Sequence, residues 1–500
     1  MTRRFRSSGR SVSRRFLVLA IALVLGGLAI GSGTAVFQRT GTDATSARTA
    51  EAASVDQAGN GGAAHAAAEL ETETAAFPLE VKPGKRYLVD AAGTPFPIHG
   101  DTAWSLIAQL GREDVDRYLK DRRARGFNTI LVSLIEHQYA TNAPANAYGE
   151  PPFLKPEDYS TPNEAYFAHA DWILRRAAEY GVLVLLTPSY AGAGGGTSGW
   201  YGAMVANGPS RLRQYGEYLG RRYRDFTNIL WIHAGDYNPP RKDLVRAIAE
   251  GIRESNPRAL QTAHGSRETA ALDYWRDEPW LQVNTIYTAF PRNWSSRPVY
   301  ATALQQYARP ERVPFFLIEG VYEYEHDSSE WHLRVQAYQS LLSGAAGQVF
   351  GNNPMWYFDG PGFIPAPVTW ERALGSRGAQ SMTHLRDLLT RVPWWQLKPD
   401  LDNTLLTGGI GPEAKRAVAA RAADRSFAIL YLPSSRAITI DLGEIVGPEV
   451  IARWYDPADG RFREVVGSPF SASGLREFRP EPGSNSSGFD DWALILESHS

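Results

Sequence analysis

Two stretches decide the architecture: NILWIHAGDYNPP, Asn228 to Pro240, and VPFFLIEGVYEYE, Val313 to Glu325. Each contains an apolar run that stops on a carboxylate, Asp236 in the first and Glu319 in the second. A near-continuous apolar run of strand length reads as a strand buried on both faces, as in a parallel sheet covered by helices. In a parallel barrel the C-terminal ends of all strands converge on one open face. An acid that ends such a strand is therefore delivered, on a rigid support, to a place where charge can be hydrated or used.

Working outward, six more runs of the same kind surround these two: PFPIHGDTAW, FNTILVSLIEH, VLVLLTPSY, LQTAHG, LQVNTIYTAF and GQVFGNN. Amphipathic segments alternate with them. EDVDRYLKDRRARG places Val115, Tyr118 and Leu119 on one face, NEAYFAHADWILRRAAEYG closes at Gly181, and RLRQYGEYLGRRY and RKDLVRAIAEGIRE follow. Eight strand–helix units between Phe77 and Leu397 predict an α/β fold, a (β/α)8 TIM barrel with decorated loops. A doubly wound open sheet is the alternative. It announces itself with a glycine-rich phosphate loop after the first strand, and HGDTAW is not one. The glycine-rich run AGAGGGTSGWYG, Ala191 to Gly202, follows the third strand without a Gly-Lys-Ser/Thr ending and is read as a mobile loop beside the cleft.

From Leu401 the pattern changes to short alternating segments such as SFAILYLP, AITIDL, EVIARWYDP and DWALILES, divided by turn signals including Asp459-Gly460. Residues 401–498 are read as a small all-β sandwich that follows the 77–397 catalytic barrel. At the other end, the basic MTRRFRSSGRSVSRR precedes an uncharged run that starts at Phe16. Residues 1–37 are thus a signal peptide or a single N-terminal membrane anchor. Residues 38–76, rich in small and polar side chains, are a disordered linker. This predicts an extracellular or cell-surface location. A formal charge of −2 gives no reason to expect a nucleic-acid partner. The absence of cysteine excludes disulfides, thiol nucleophiles and thiolate metal sites. The 14 Trp and 23 Tyr suit core packing, and equally a cleft in which rings stack on sugar C–H faces.

Residues at or just past the strand ends are the candidates for function. They are Asp101 and Trp104 after the first strand, Glu136 and His137 after the second, and Tyr190 after the third. Asp236, Tyr237 and Asn238 follow the fourth, His264 the fifth, Tyr287 the sixth and Glu319 the seventh. Paired carboxylates across a sugar-sized gap are the equipment of glycoside hydrolysis, one holding a proton for the leaving oxygen and the other ionised. The structural alternatives are a helix cap or hydrogen-bonded acid for Asp101, and satisfied core histidines for His99 and His233. EHDSSEWH, Glu325 to His332, has no zinc-ligand spacing, and there is no Gly-x-Ser-x-Gly elbow. No metal or organic cofactor is expected. The competing function is a non-catalytic carbohydrate- or matrix-binding surface protein.

Those stretches, with GKRYLVDAAGTPFPIHGDTAW, YGEYLGRRYRDFTNILWIHAGDYN and YQSLLSGAAGQVFGNN, resemble the apiosidase-like catalytic domain of glycoside hydrolase family 140 and its relatives. The C-terminal part, with VAARAADRSFAILYLP and IARWYDPADGRF, resembles the β-sandwich called a "putative collagen-binding domain", which commonly follows this barrel. The resemblance implies a retaining, exo-acting glycosidase with an oligo- or polysaccharide substrate. It makes Asp236, which ends WIHAGD, the acid/base, and Glu319, after FFLIE, the nucleophile. Ala-Gly-Asp stands here where the family often has Gly-Gly-Asp, and Gly320 stands where Pro often follows the seventh strand.

Overall fold

The computed structural model describes residues 75–288 and 297–499. The expected N-terminal signal or anchor, and all but the last two residues of the expected linker, lie outside the described residues. Among the described residues no helix is long and apolar enough to cross a membrane. A small antiparallel sheet of β1 (Glu80–Val81), β2 (Leu88–Val89) and β3 (Pro95–Phe96) comes first. The eight predicted barrel strands follow: β4 (Ile98–Thr102), β5 (Thr129–Ser133), β6 (Leu183–Thr187), β7 (Ile229–His233), β8 (Leu260–Ala263), β9 (Asn284–Tyr287), β10 (Phe315–Glu319) and β11 (Gly347–Phe350). They form one parallel sheet in the order β8-β7-β6-β5-β4-β11-β10-β9.

The two outer strands of that order, β8 and β9, meet without a regular ladder. Gln282 donates its backbone N–H to the Gln261 carbonyl at 3.0 Å. The hydroxyls of Thr262 and Thr285 donate to the carbonyls of Val283 and Ala263, each at 2.5 Å. Small β-branched hydroxyl residues thus close the barrel where strand geometry alone does not.

Helices α1 (Leu106–Gln109), α2 (Arg112–Ala124), α3 (Glu164–Glu179), α4 (Tyr201–Arg222), α5 (Lys242–Ser255), α6 (Ala271–Trp275), α7 (Val299–Tyr307) and α8 (Glu330–Leu342) punctuate the strands. The continuous apolar runs are explained by two shells. Leu131, Leu185, Leu230, Ile232, Phe316 and Ile318 fill the barrel interior. Their neighbours Ile130, Val132, Val184 and Trp231 pack outward against the helices. Burial of both shells, at about 25 cal/mol per Å² of apolar surface, is the main force holding the barrel closed. The glycine-rich run lies beside the cleft as expected, but its last two residues, Tyr201 and Gly202, already belong to α4.

After α9 (Trp370–Ala373) and α10 (Arg377–Thr390), two antiparallel sheets make the sandwich. Its first strand, β12 (Leu397–Pro399), pairs with β14 (Val418–Ala422), so sheet pairing begins just before Leu401. Between them in sequence is β13 (Leu406–Gly408), and β15 (Phe427–Leu432) follows. All thirteen residues of α8 except Trp331 are buried. One side of α8 faces the barrel and the other joins β14 and β15 in a shared core. Arg334 of α8 forms a bidentate pair with Asp491, both bonds 2.8 Å and both side chains fully buried. Tyr431 also donates to Asp491 at 2.7 Å, and its ring stacks on Tyr338 at 4.4 Å. Barrel and sandwich are therefore joined by a buried, hydrogen-bonded seam.

Candidate active site

The strand-end candidates separate according to the strand's own alternation. In β4, Ile98 points into the barrel and His99 points out, stacked on Phe127. Asp101 has the parity of His99. It is fully buried outside the barrel, accepting from Tyr118 at 2.9 Å and pairing with Arg122 at 3.3 Å. Burial raises its carboxyl to about 6 against the opposing pull of Arg122. Asp101 is thus a structural acid that ties β4 to α2, and the expectation of a substrate contact is corrected.

Glu319 reaches the interior because β10 breaks the same rule. Phe316 and Ile318 face inward. The register then shifts, so that Leu317 pairs with Ile286 while Glu319 pairs with the next residue, Tyr287. This bulge puts two successive side chains on one face, the usual way a strand re-aims a residue at its rim. Gly320 then permits close packing. A Cβ there would lie 2.4 Å from Oε1 of Gln336, whose amide clamps the Val321 backbone with two bonds of 3.0 Å.

Asp236 is aimed by a turn. After His233, both Ala234 and Gly235 take positive φ, 68° and 140°. A Cβ on Gly235 would come 2.5 Å from the Tyr190 ring. Ala234 carries a side chain in the left-handed region at a cost of about 1–2 kcal/mol. A glycine there would avoid that cost, which is the physical content of the Ala-Gly-Asp departure.

His264, fully buried at the end of β8, joins the two acids. Its Nε2 lies 2.7 Å from Oε2 of Glu319 and its Nδ1 lies 3.5 Å from Oδ1 of Asp236. Nδ1 is also 3.1 Å from the Gly265 carbonyl. Ligand-type atoms of Asp236, His264 and Glu319 all fall within 4.8 Å of one another. That spacing could also hold a divalent cation, which would engage the same carboxylate oxygens. Burial would lower the imidazole's affinity for a proton. The bond to Glu319 and the two nearby carboxylates outweigh it and raise His264 to about 9. Burial first, and then the charge of Glu319, push Asp236 up to about 7. Near neutral pH the imidazole is held protonated against Glu319, and Asp236 is poised between its acid and anion forms.

These groups open on a cavity of about 290 Å³. Trp104, Glu136, Tyr190 and Tyr287 line it, as their strand-end positions predicted. Glu136 is nonetheless largely committed to its own loop. It accepts from the backbone N–H groups of His137, Gln138 and Tyr139 and from the Ser105 hydroxyl. Besides the sealed Asp101 and the fully buried His264 behind the two acids, three more candidates are not on the cavity wall. His137 packs edge-on against Trp200, and Tyr237 packs against Tyr201. Asn238 clamps the next loop through Ser266 and Thr269. Each lies one or two residues past an acid that turns inward, so the chain has already rotated away.

Sequence reasoning missed Tyr139, Tyr322, Glu325 and Trp356 on the wall. Tyr322 accepts from the Trp104 indole at 3.0 Å and Glu325 accepts from the Trp356 indole at 3.0 Å. Glu325 is a fourth acid of the cavity, after Glu136, Asp236 and Glu319, and is raised to about 7 by burial. Its signal was the stretch EGVYEYE itself, in which the chain crosses the mouth after the strand has ended.

Comparison with known proteins bears on the family and the fold. The family profile "Apiosidase-like, catalytic domain" matches residues 82–396. "Putative collagen-binding domain of a collagenase" matches residues 400–497. No curated protein sequence matches the chain. A solved structure described as a glycoside hydrolase is 25% identical with a TM-score of 0.73, covering 84% of this chain and 97% of its own. A glycoside hydrolase family 5 protein from Bacteroides vulgatus ATCC 8482 is 23% identical with a TM-score of 0.74, covering 85% and 95%. A further glycoside hydrolase structure from the same organism is 15% identical, with a TM-score of 0.62, and agrees in fold. The chain therefore belongs to the apiosidase-like family, and its barrel is a catalytic domain of the glycoside hydrolase type.

Proposed function

We propose that the protein is an exported, retaining glycoside hydrolase that removes terminal residues, of furanoside or related type, from a plant or envelope polysaccharide. The observation that carries the reading is the trio in which oxygens of Asp236 and Glu319 lie within 4.8 Å of each other across His264. Carboxyl groups roughly 5 Å apart leave no room for a water between the second carboxylate and the anomeric carbon and instead suit a covalent glycosyl-enzyme. Asp236 donates its proton to the leaving oxygen while Glu319 attacks the anomeric carbon. Water, deprotonated by the same Asp236, then displaces Glu319 and restores both acids. His264 holds Oε2 of Glu319, leaving Oε1 outside that bond for the attack. The rings of Trp104, Tyr190 and Tyr287 give the sugar apolar faces to lie against. A cavity of about 290 Å³ suits one terminal unit, which supports the exo reading.

The test is proton NMR of the first turnovers on a panel of nitrophenyl furanosides and pyranosides. The substrate's own anomer should appear before mutarotation. Appearance of the opposite anomer would replace the covalent route with single displacement, and no turnover on any glycoside, polysaccharides included, would leave a binding protein.

A further inference from the structure

We propose that the floor of the barrel carries a second, non-catalytic site for a carboxylate-bearing polysaccharide, built from Lys85, Arg86, Arg312, Lys398 and Trp395. A cavity of about 620 Å³ opens there, larger than the catalytic one. It is lined by the turn between β1 and β2, the chain entering β10, the α8–β11 turn and the start of the sandwich. These are the N-terminal ends of the barrel strands, so the site lies at the opposite end of the barrel from Asp236 and Glu319.

Its composition is one-sided. Four cations and no acid line the wall. None of the four makes an ion pair among the described residues, whereas most other arginines of the barrel surface do. The Arg86 guanidinium sits 4.0 Å from the centre of the Tyr307 ring. Burial pulls it below its ordinary value, Tyr307 opposes that pull and Arg312 adds to it. An arriving anion would relieve both the burial and the like charge. The aromatic side of the wall is continuous. Tyr87 meets Trp394 at 5.9 Å and Trp394 meets Trp395 at 6.2 Å, and Trp395 is exposed at the rim.

Rings beside unpaired guanidinium and ammonium groups select a ligand with an apolar face and an anionic edge. A uronate ring has both: C–H bonds to lie on Trp395 and a carboxylate for Arg86 or Arg312. A recessed wall of this volume fits one or two sugar rings. A flat anionic surface would not enter it, and a nucleic-acid strand would need a basic stripe rather than a pocket. Separation from the catalytic mouth means that this site would hold the enzyme on an acidic polymer while the mouth samples chain ends.

Affinity electrophoresis of the full chain, in native gels containing polygalacturonate, dextran sulfate or neutral dextran, tests the proposal. The native protein should be retarded by polygalacturonate, less by dextran sulfate and not by neutral dextran, with retardation falling as salt is added. The double variant Arg312→Glu/Lys398→Glu and, separately, Trp395→Ala should each weaken retention about tenfold or more. Their thermal unfolding midpoints and aryl-glycoside turnover should stay at the native level. No retardation of the native chain would overturn the site. So would equal retardation of either variant, or binding to dextran sulfate or anionic lipid vesicles as tight as to polygalacturonate. The readout is retention, so it stands or falls independently of which glycoside the mouth cleaves.

Discussion

Asp101 and Glu319 both end apolar barrel strands, both are buried, and both touch a potential cation, yet their surroundings assign them opposite work. Asp101 is sealed outside the barrel between Tyr118 and Arg122, away from the wall of the catalytic cavity. Glu319 meets His264 on the wall of a cavity, across from an acid whose Oδ1 has no hydrogen-bond partner. One strand keeps its alternation and sends its acid to the helices. The other inserts one residue against its neighbour and sends its acid to the mouth. Access to an unfilled space, rather than burial or a raised proton affinity, separates a working acid from a structural one.

Glu319→Gln should break the comparison most completely. With no anion to form the glycosyl-enzyme, kcat should fall by about 10⁴-fold on any glycoside. Asp236→Asn should cost about 10²–10⁴-fold on natural linkages. The glycosylation step should suffer much less on a nitrophenyl glycoside, whose leaving oxygen needs little protonation. Steady-state kinetics on matched good and poor leaving groups checks both. A Glu319→Gln enzyme within a few-fold of native activity would remove Glu319 from the chemistry.

The coupling between the two acids sharpens the contrast further. Asp236 acts as the acid only while protonated, so kcat/KM should decline as pH rises through about 7. Part of that elevation comes from the charge of Glu319. In Glu319→Gln the Asp236 carboxyl, followed by carbon NMR, should therefore titrate at lower pH than in the native protein. An unchanged titration would mean that burial alone sets it. His264→Ala should lose about 10²-fold in kcat through misplacement of Glu319, with a smaller change in KM. Equal loss in both would make His264 a sugar ligand instead.

Much of this is legible in the sequence alone. All eight barrel strands stand where apolar runs stop at polar residues, because a strand covered on both faces needs nearly every side chain apolar. The acids of the mouth were legible for the same reason, since a carboxylate that ends such a run is carried to the open face on a rigid support. Direction was not legible. That Glu319 faces the interior, while Asp101 keeps the outward parity of β4, depends on one residue of register between β9 and β10, a tertiary fact without a local sequence signature. Glu325 and Trp356 escaped because they come from loops that cross the mouth, where no periodicity ties position to orientation. The short strand β13 was missed because three residues are too few to show alternation.

The smallest effect on catalysis should come from Asp101, and it completes the contrast. Asp101→Ala leaves Arg122 buried with only Asp121, itself partly exposed, as counter-charge. Removing one partner of a buried pair costs about 3–5 kcal/mol, because the remaining ion keeps its desolvation penalty and loses its compensation. Denaturant unfolding should show that loss directly. Turnover per folded molecule should stay within a few-fold of native, since β4 can retain its ladders to β5 and β11 and nothing of Asp101 lines the cavity. Asp101→Asn should fall between, keeping an acceptor for the Tyr118 hydroxyl while giving up the charge that Arg122 faces. If Asp101→Ala were instead well folded and inactive, the outward parity of β4 would be the wrong account of this acid, and the distinction between a sealed acid and an open one would fail with it.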